Sequence, residues 1–377
     1  MAPADTIDGE RRRITFVEAL GKGGFGAVYL ADVRSRTNFD LRLAVKVLNE
    51  DLRDNEEVVR RQRDEARLLA QLNHDHIVKV FDLLEIDGRP AVLMEYVPGV
   101  DANRLIQNGP IPARAALEIA AATANALHAA NVTVSPFTGR PLNVIHRDVK
   151  PSNLLISEYG TVKVLDFGIA RADFDREGQT RSMAFGTARY MAPEQWLNDG
   201  ITAAVDVFAL GITMLELLSG RSAERLPLRA DKFNAGRDAQ ISALRDPRWG
   251  GVWWRQLEEL LQDMLSLDPI DRPSAARVQE VCLELSEDVG GMSLQRYSKA
   301  RVPPLMASRR AKMKGESLLP SADLEMSAAQ DPSLLTGGKS LVPTAPPALP
   351  PVMGVSWWLQ LALACGLALS LWWFLSA

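Results

Sequence analysis

Short runs of β-branched and aromatic residues, broken by polar or glycine-containing stretches, occupy the first part of the chain: RITFVEAL at 13–20, GAVYLADV at 26–33 and LRLAVKVLNE at 41–50. Runs of this length and composition predict strands. The pattern then changes to a 3.6-residue period in NEEVVRRQRDEARLLAQL, with Val58, Leu68, Leu69 and Leu72 on one side, and predicts an amphipathic helix. HIVKVFDLLEI and PAVLMEYV predict two further strands around the turn DGR. After Asp101 the chain reads as predominantly helical. PARAALEIAAATANALHAAN and AAVDVFALGITMLELLSG are long and apolar enough to be buried helices. The order predicts an α+β, bilobal fold, with a small strand-rich lobe over about 14–97, a larger helical lobe over about 98–285, and a cleft between them.

From about Ser286 the period is lost. Residues 286–351, including GKSLVPTAPPALPPVMG, predict a flexible linker rich in proline and alanine, and 1–13 a polar tail. Arg301, Arg309, Arg310, Lys312 and Lys314 make the linker mildly basic, read here as a solubilising feature rather than a lipid contact. The stretch 352–375 has no charged residue. Its length matches the about 20 apolar residues that cross a bilayer. Trp357 and Trp358 open it, and Trp372 and Trp373 close it. At helical rise the two pairs stand roughly 22 Å apart, near the two interfaces of a membrane. The expectation is a single-pass C-terminal membrane anchor with the globular part on the cytoplasmic side.

Composition narrows the function. A formal net charge of -4 and a pI of about 5.7 exclude a dedicated nucleic-acid surface. Cys282 and Cys365 are the two cysteines and match no metal-ligand spacing.

The segment VIHRDVKPSNLLI, 144–156, packs His146, Arg147, Asp148, Lys150 and Asn153 between apolar flanks. Charges at the edge of a core cost desolvation unless they are paired or working. Asp148 can take a proton from a hydroxyl, Lys150 can neutralise a transferring phosphoryl group, and Asn153 offers an amide oxygen to a hard cation. GKGGFGAV places Gly21, Gly23 and Gly26 between two strands, where N–H groups can approach phosphate oxygens without an intervening Cβ. A strand follows these glycines, which excludes a dinucleotide-binding fingerprint, and they lack the ending of a Walker loop. Lys46, inside the apolar run LAVKVL, needs an anion, and Glu65 on the following helix is the candidate. VLDFGIA ends a short strand in Asp166, a candidate Mg2+ ligand.

In order along the chain, GKGGFGAV, AVK, Glu65, MEYV, HRDVKPSN, DFG, APE, DVFALG and DPIDRPS resemble the motifs of the eukaryotic-like (Hanks-type) serine/threonine protein kinases found in bacteria, over about Ile14 to Leu285. The resemblance implies ATP as phosphoryl donor, Mg2+ (with Mn2+ as a substitute) as cofactor, and protein serine or threonine hydroxyls as acceptors. It implies that Lys46, held by Glu65, contacts the α/β-phosphates under a loop of Gly21, Lys22, Gly23, Gly24, Phe25 and Gly26. Asp148 becomes the base, Lys150 its neighbour at the γ-phosphate, and Asn153 and Asp166 the metal ligands. Met94 becomes the gatekeeper, with the Glu95 and Val97 main chain on adenine, Val28, Ala44 and Leu155 around the ring, and Asp101 toward the ribose. Glu194 with Arg272, and Asp206 under the catalytic loop, become architectural.

Lys150 and Thr187 fit serine/threonine rather than tyrosine acceptors, and Thr187 is expected to help position Asp148. Thr180 and Ser182 are the activation-loop phosphosite candidates, facing Arg147. Two stretches depart from the family pattern: NVTVSPFTGRPLN is longer than usual, and GRSAERLPL lacks the usual sequence after the long helix. The alternative function is a membrane-tethered pseudokinase scaffold, disfavoured because Lys46, Asp148, Asn153 and Asp166 are all present. A small-lobe homodimer is a further expectation from the resemblance.

Overall fold

The computed structural model describes residues 10–24, 26–34, 40–167, 188–197, 200–244, 252–313, 318–319 and 322–326. The chain divides into a unit ending at Met326 and a second unit from Ser327. The second unit, with the stretch 352–375, lies outside the described residues. Among the described residues no helix is long and apolar enough to cross a membrane.

Strands β1 (Glu10–Lys22), β2 (Gly26–Arg34) and β3 (Asp40–Leu48) form an antiparallel meander, followed by helix α1 (Glu56–Leu69) and the hairpin β4 (Val80–Ile86) and β5 (Arg89–Glu95). The hairpin turns on Asp87 and Gly88, both at positive φ (51° and 73°), a two-residue turn whose twist matches the flanking strands. β5 pairs with β3, which sets Val92 beside Lys46 and Met94 beside Ala44. One face of this sheet buries Ile14, Phe16, Tyr29, Val45 and Leu93. Asn55 caps α1 by accepting from the Val58 N–H.

The large lobe is built on α3 (Ala113–Val132) and α5 (Ala204–Ser219), preceded by the short β6 (Gly99–Asp101) and α2 (Ala102–Ile106). Val205 to Leu218 is buried without interruption, so α5 is a central helix rather than an amphipathic one. β6, β7 (Leu154–Ser157) and β8 (Val162–Val164) make a small antiparallel sheet at the floor of the cleft. Helices α4 (Pro193–Leu197), α6 (Ala230–Ser242), α7 (Val252–Met264) and α8 (Ala275–Asp288) complete this lobe. The stretch 131–143 folds on itself through a Val134–Pro141 bridge, and Ser135 donates to the Gln71 side chain just beyond α1.

The flexible linker expected from 286 is replaced, over its first part, by regular structure. Helix α9 (Leu294–Met313) and strand β9 (Ala322–Met326) are ordered parts of the first unit, and β9 adds to the small-lobe sheet beside β1. The helix buries Leu294, Tyr297, Val302 and Met306 against surfaces built from α3, β6 and β1. The Leu294 N–H donates to Glu118 of α3 at 2.6 Å. Gly160, at φ +85°, lies where a Cβ would stand 2.8 Å from the Gln295 backbone, so only glycine lets the β7–β8 turn meet this helix. Pro303 and Pro304 lie inside the helix, where one interior proline costs roughly 3 kcal/mol. Burial against remote surfaces offsets that cost, which the local sequence does not reveal.

Candidate active site

A cleft of about 760 Å³ lies between the lobes and collects most of the residues singled out above. Its roof is the glycine loop between β1 and β2. A Cβ on Gly26 would stand 2.4 Å from the Val47 carbonyl, so that glycine is required by strand packing. A Cβ on Gly21 would meet nothing within 4 Å, and one on Gly23 only the Gly26 carbonyl at 3.7 Å. Packing therefore does not demand glycine at 21 and 23, whereas close approach of a phosphate to the main chain would. The Gly23 N–H donates to the Gly26 carbonyl, 2.8 Å. Asn49 donates its amide to the Gly23 and Gly24 carbonyls (3.2 and 3.0 Å) and so ties the loop to the end of β3. Sequence reasoning missed Asn49; its position one residue past β3, opposite the loop, was the available signal. Phe25 lies outside the described residues.

Behind the loop is an apolar slot. Ala44, Val78 and Met94 pack together with Leu20, Val28 and Leu165, and Leu155 and Val97 line the same space. Leu20, Val78 and Leu165 were not anticipated, because they come from three separate segments that meet only in the fold. Glu95 is held on both its polar groups: its carboxylate accepts from the Lys79 N–H (2.8 Å) and the Lys163 ammonium (2.6 Å), and its own N–H donates to the Lys79 carbonyl. Its N–H and the carboxylate oxygen Oε1 are therefore committed within the protein. Asp101 lines the cleft as expected, but it also caps α2 by accepting from the Arg104 N–H (3.0 Å) and pairs with the Arg104 guanidinium (3.1 Å).

Lys46, on β3, reaches Asp166 at 2.5 Å, and Glu65 on α1 lines the same cleft. Burial works against the charge of Asp166. The Lys46 ammonium more than offsets it and holds the carboxyl below the usual aspartate range, while 51% of the side chain faces the open cleft. Asp166 stands at φ +47° and Arg147 at φ +62°, left-handed conformations that cost a non-glycine residue on the order of 1–2 kcal/mol each.

The catalytic-loop candidates converge. Asp148 accepts from Lys150 through both carboxylate oxygens (3.0 and 2.9 Å) and from the Asn153 amide through one of them (2.9 Å). Asn153 also donates to the Asp148 carbonyl, 2.8 Å. Asp206 clamps the strained loop by accepting from the His146 and Arg147 N–H groups, both at 2.7 Å. Burial pushes the Asp206 carboxyl above the usual range, and these two donors work against that shift. His146 Nδ1 accepts from the Asp148 N–H, so its Nε2 donates to the Leu165 carbonyl at 2.9 Å and links this loop to the strand end carrying Asp166. The sequence gives His146 no role of its own; that role depends on a partner nineteen positions away.

The donor set suits Mg2+. Because the Asn153 amide nitrogen is committed to Asp148, its oxygen is left for a cation, and the Asp166 carboxylate opens into the same cleft. Among the described residues no three histidine, cysteine or acidic side chains gather into a metal cage. Mg2+ is characteristically held by one or two protein oxygens together with substrate phosphates. Away from the cleft, Glu194 and Arg272 form a buried two-bond ion pair at 2.6 and 2.9 Å. Thr180, Ser182 and Thr187 lie outside the described residues.

The protein kinase domain model matches residues 14–282. The chain is 29% identical to the serine/threonine-protein kinase PrkC of Bacillus subtilis over 87% of its own length and 49% of that protein. It is 40% identical to the serine/threonine-protein kinase PknB of Mycobacterium leprae over 54% of its length and 32% of that protein. It thus spans half or less of these curated relatives. The crystal structure of the Mycobacterium tuberculosis PknI kinase domain superposes with a TM-score of 0.52 at 28% identity, over 76% of this chain and 99% of that one.

Proposed function

Because the chain belongs to the protein kinase family, we propose that it is a serine/threonine protein kinase, transferring the γ-phosphoryl group of ATP to serine or threonine hydroxyls of proteins. The observation that carries this reading is the convergence of Asp148, Lys150 and Asn153 on one face of the cleft that Lys46 and Asp166 also line. Mg2+, held by Asn153 and Asp166, would supply positive charge to the phosphates. The chain's own residues do the rest. The acceptor oxygen attacks the γ-phosphorus as the bond to the β-phosphate oxygen breaks, and its proton passes to the Asp148 carboxylate. Lys150 and Asn153 fix that carboxylate in one orientation by donating to it. Lys150 also brings positive charge beside the base, where the transferred group carries negative charge. Lys46 presents an ammonium in the same cleft, and the Ala44, Val28, Met94 and Leu155 slot offers apolar walls to the adenine ring.

Activation by phosphate on Thr180 or Ser182, docked on Arg147, is part of the same reading. Its support is the placement of those hydroxyls between Asp166 and Glu194 in the sequence. Membrane anchoring through 352–375 is supported by the uncharged run and its paired tryptophans. The test is to incubate the full chain with ATP and Mg2+ and follow intact mass, beside Asp148→Asn. Phosphate added only by the unsubstituted chain, recovered as phosphoserine or phosphothreonine and mapped to Thr180 or Ser182, is the expected result. Phosphotyrosine alone would overturn the acceptor class. Nucleotide binding without transfer would support the scaffold alternative.

A further inference from the structure

Helix α9 lies beyond the segment that matches the kinase domain model, yet two of its side chains, Arg309 and Met313, line the nucleotide cleft. Arg309 is a mildly basic linker residue by sequence and a buried one in the fold, only 7% exposed. One of its nitrogens donates to the Gly99 carbonyl at 3.1 Å. The Glu18 carboxylate stands 3.7 Å from another, too far for a hydrogen bond. Its Nε and Nη2 groups have no hydrogen-bond partner. Burial draws its pKa below the usual guanidinium value, with Tyr96 and Glu18 acting in the opposite sense. Gln62, which also lines the cleft, leaves its buried side-chain oxygen unpartnered in the same way. Buried donors without partners are costly and rare in folded proteins, and charged groups cost more than neutral ones to leave so. Arg309 sits where the chain passes from β5 into β6, the end of the cleft that Val97, Asp101 and Arg104 line. Met313 packs against the small-lobe core beside it.

We propose that α9 completes the nucleotide site of this kinase, with Arg309 a binding residue that donates to the sugar end of the nucleotide and Met313 closing the mouth of the base slot. The proposal rests on reading the cleft as an ATP site. The helix is anchored at its start on α3 through Leu294 and Glu118, and beyond it β9 joins the small-lobe sheet. The segment therefore presents Arg309 from a support fixed on both lobes, and nucleotide affinity depends on residues outside the matched domain.

The test uses the full chain and its Arg309→Met, Arg309→Lys and Met313→Ala variants, with Arg310→Gln as control, since Arg310 pairs with Glu18 at the surface. Calorimetric titration with ATP and Mg2+, and separately with adenosine, is paired with KM and kcat for ATP. Loss of a charged hydrogen bond predicts that Arg309→Met weakens ATP about tenfold or more. Adenosine should weaken by a similar factor, with the effect in KM rather than kcat, and Arg310→Gln should bind as the unsubstituted chain does. Arg309→Lys keeps charge without the guanidinium fork and should bind more weakly than the unsubstituted chain if the fork is used. Equal ATP affinity in the unsubstituted chain and both Arg309 variants would overturn the proposal while leaving the kinase reading intact. An unsubstituted chain that binds neither ATP nor adenosine would overturn the reading of the cleft itself. Loss confined to ATP, with adenosine unchanged, would move Arg309 to the phosphates and overturn the sugar-end assignment.

Discussion

Two buried arginines, each 7% exposed, are treated in opposite ways. Arg272 uses all five N–H donors: two on the Glu194 carboxylate and one each on the Ser266, Ala204 and Leu267 carbonyls, with its plane over the Phe208 ring. Arg309 has one clear hydrogen bond and two nitrogens with none. The first is a closed unit whose interactions end inside the protein. The second has donor capacity left over and lies against the cleft. The difference separates a residue that holds the fold from one whose partner comes from outside.

The comparison can be broken most severely at Arg272. Arg272→Met leaves the Glu194 carboxylate buried and unpaired, which should cost about 3–5 kcal/mol of unfolding free energy in a urea titration. Arg309→Met should change the unliganded value by less than about 1 kcal/mol in either direction, because a half-satisfied guanidinium is exchanged for an apolar side chain of similar length. Equal losses from the two would erase the distinction.

Asp148 is an intermediate case, partnered by Lys150 and Asn153 yet facing the cleft. Asp148→Asn should lower kcat about 10²- to 10⁴-fold, with ATP affinity unchanged in the same titration. Asn49→Ala removes the tie between β3 and the glycine loop, and a loss of about 1 kcal/mol should appear as a several-fold rise in KM for ATP.

The smallest effect is electrostatic. Lys46 holds the Asp166 carboxyl below its unfolded value, so the pair adds stability that is present above about pH 4 and is lost as pH falls from there. The thermal stability gap between the unsubstituted chain and Lys46→Met should therefore narrow below about pH 4. A gap that stayed constant would mean that the ion pair is not its source.

Legibility followed chain locality. The loop from His146 to Asn153 could be read because its working groups lie within eight positions and its apolar flanks announce a core edge. The strands and α1 announced themselves by period. Asn49, His146 and the Leu20, Val78 and Leu165 wall could not be read so directly, since each acquires its role from a partner brought in by the fold. Helix α9 was least legible. Its buried residues stand in a basic, proline-interrupted stretch, and the surfaces that bury them are built from α3, β6 and β1. Arg309 therefore reads as a solubilising charge until those surfaces are assembled around it.

The most direct measurement of the central contrast is thermal unfolding of the full chain, Arg272→Met and Arg309→Met, each with and without saturating ATP and Mg2+. At a fixed concentration, a ligand that binds only the folded state raises Tm by an amount that grows with the logarithm of its affinity. The account predicts a large fall in unliganded Tm for Arg272→Met. For Arg309→Met it predicts an unliganded Tm at or near that of the unsubstituted chain, with a clearly smaller rise on adding ATP. An Arg309→Met chain that loses stability without ligand and keeps the full ATP-induced rise would contradict it, and would place Arg309 with Arg272 among the residues that only hold the fold.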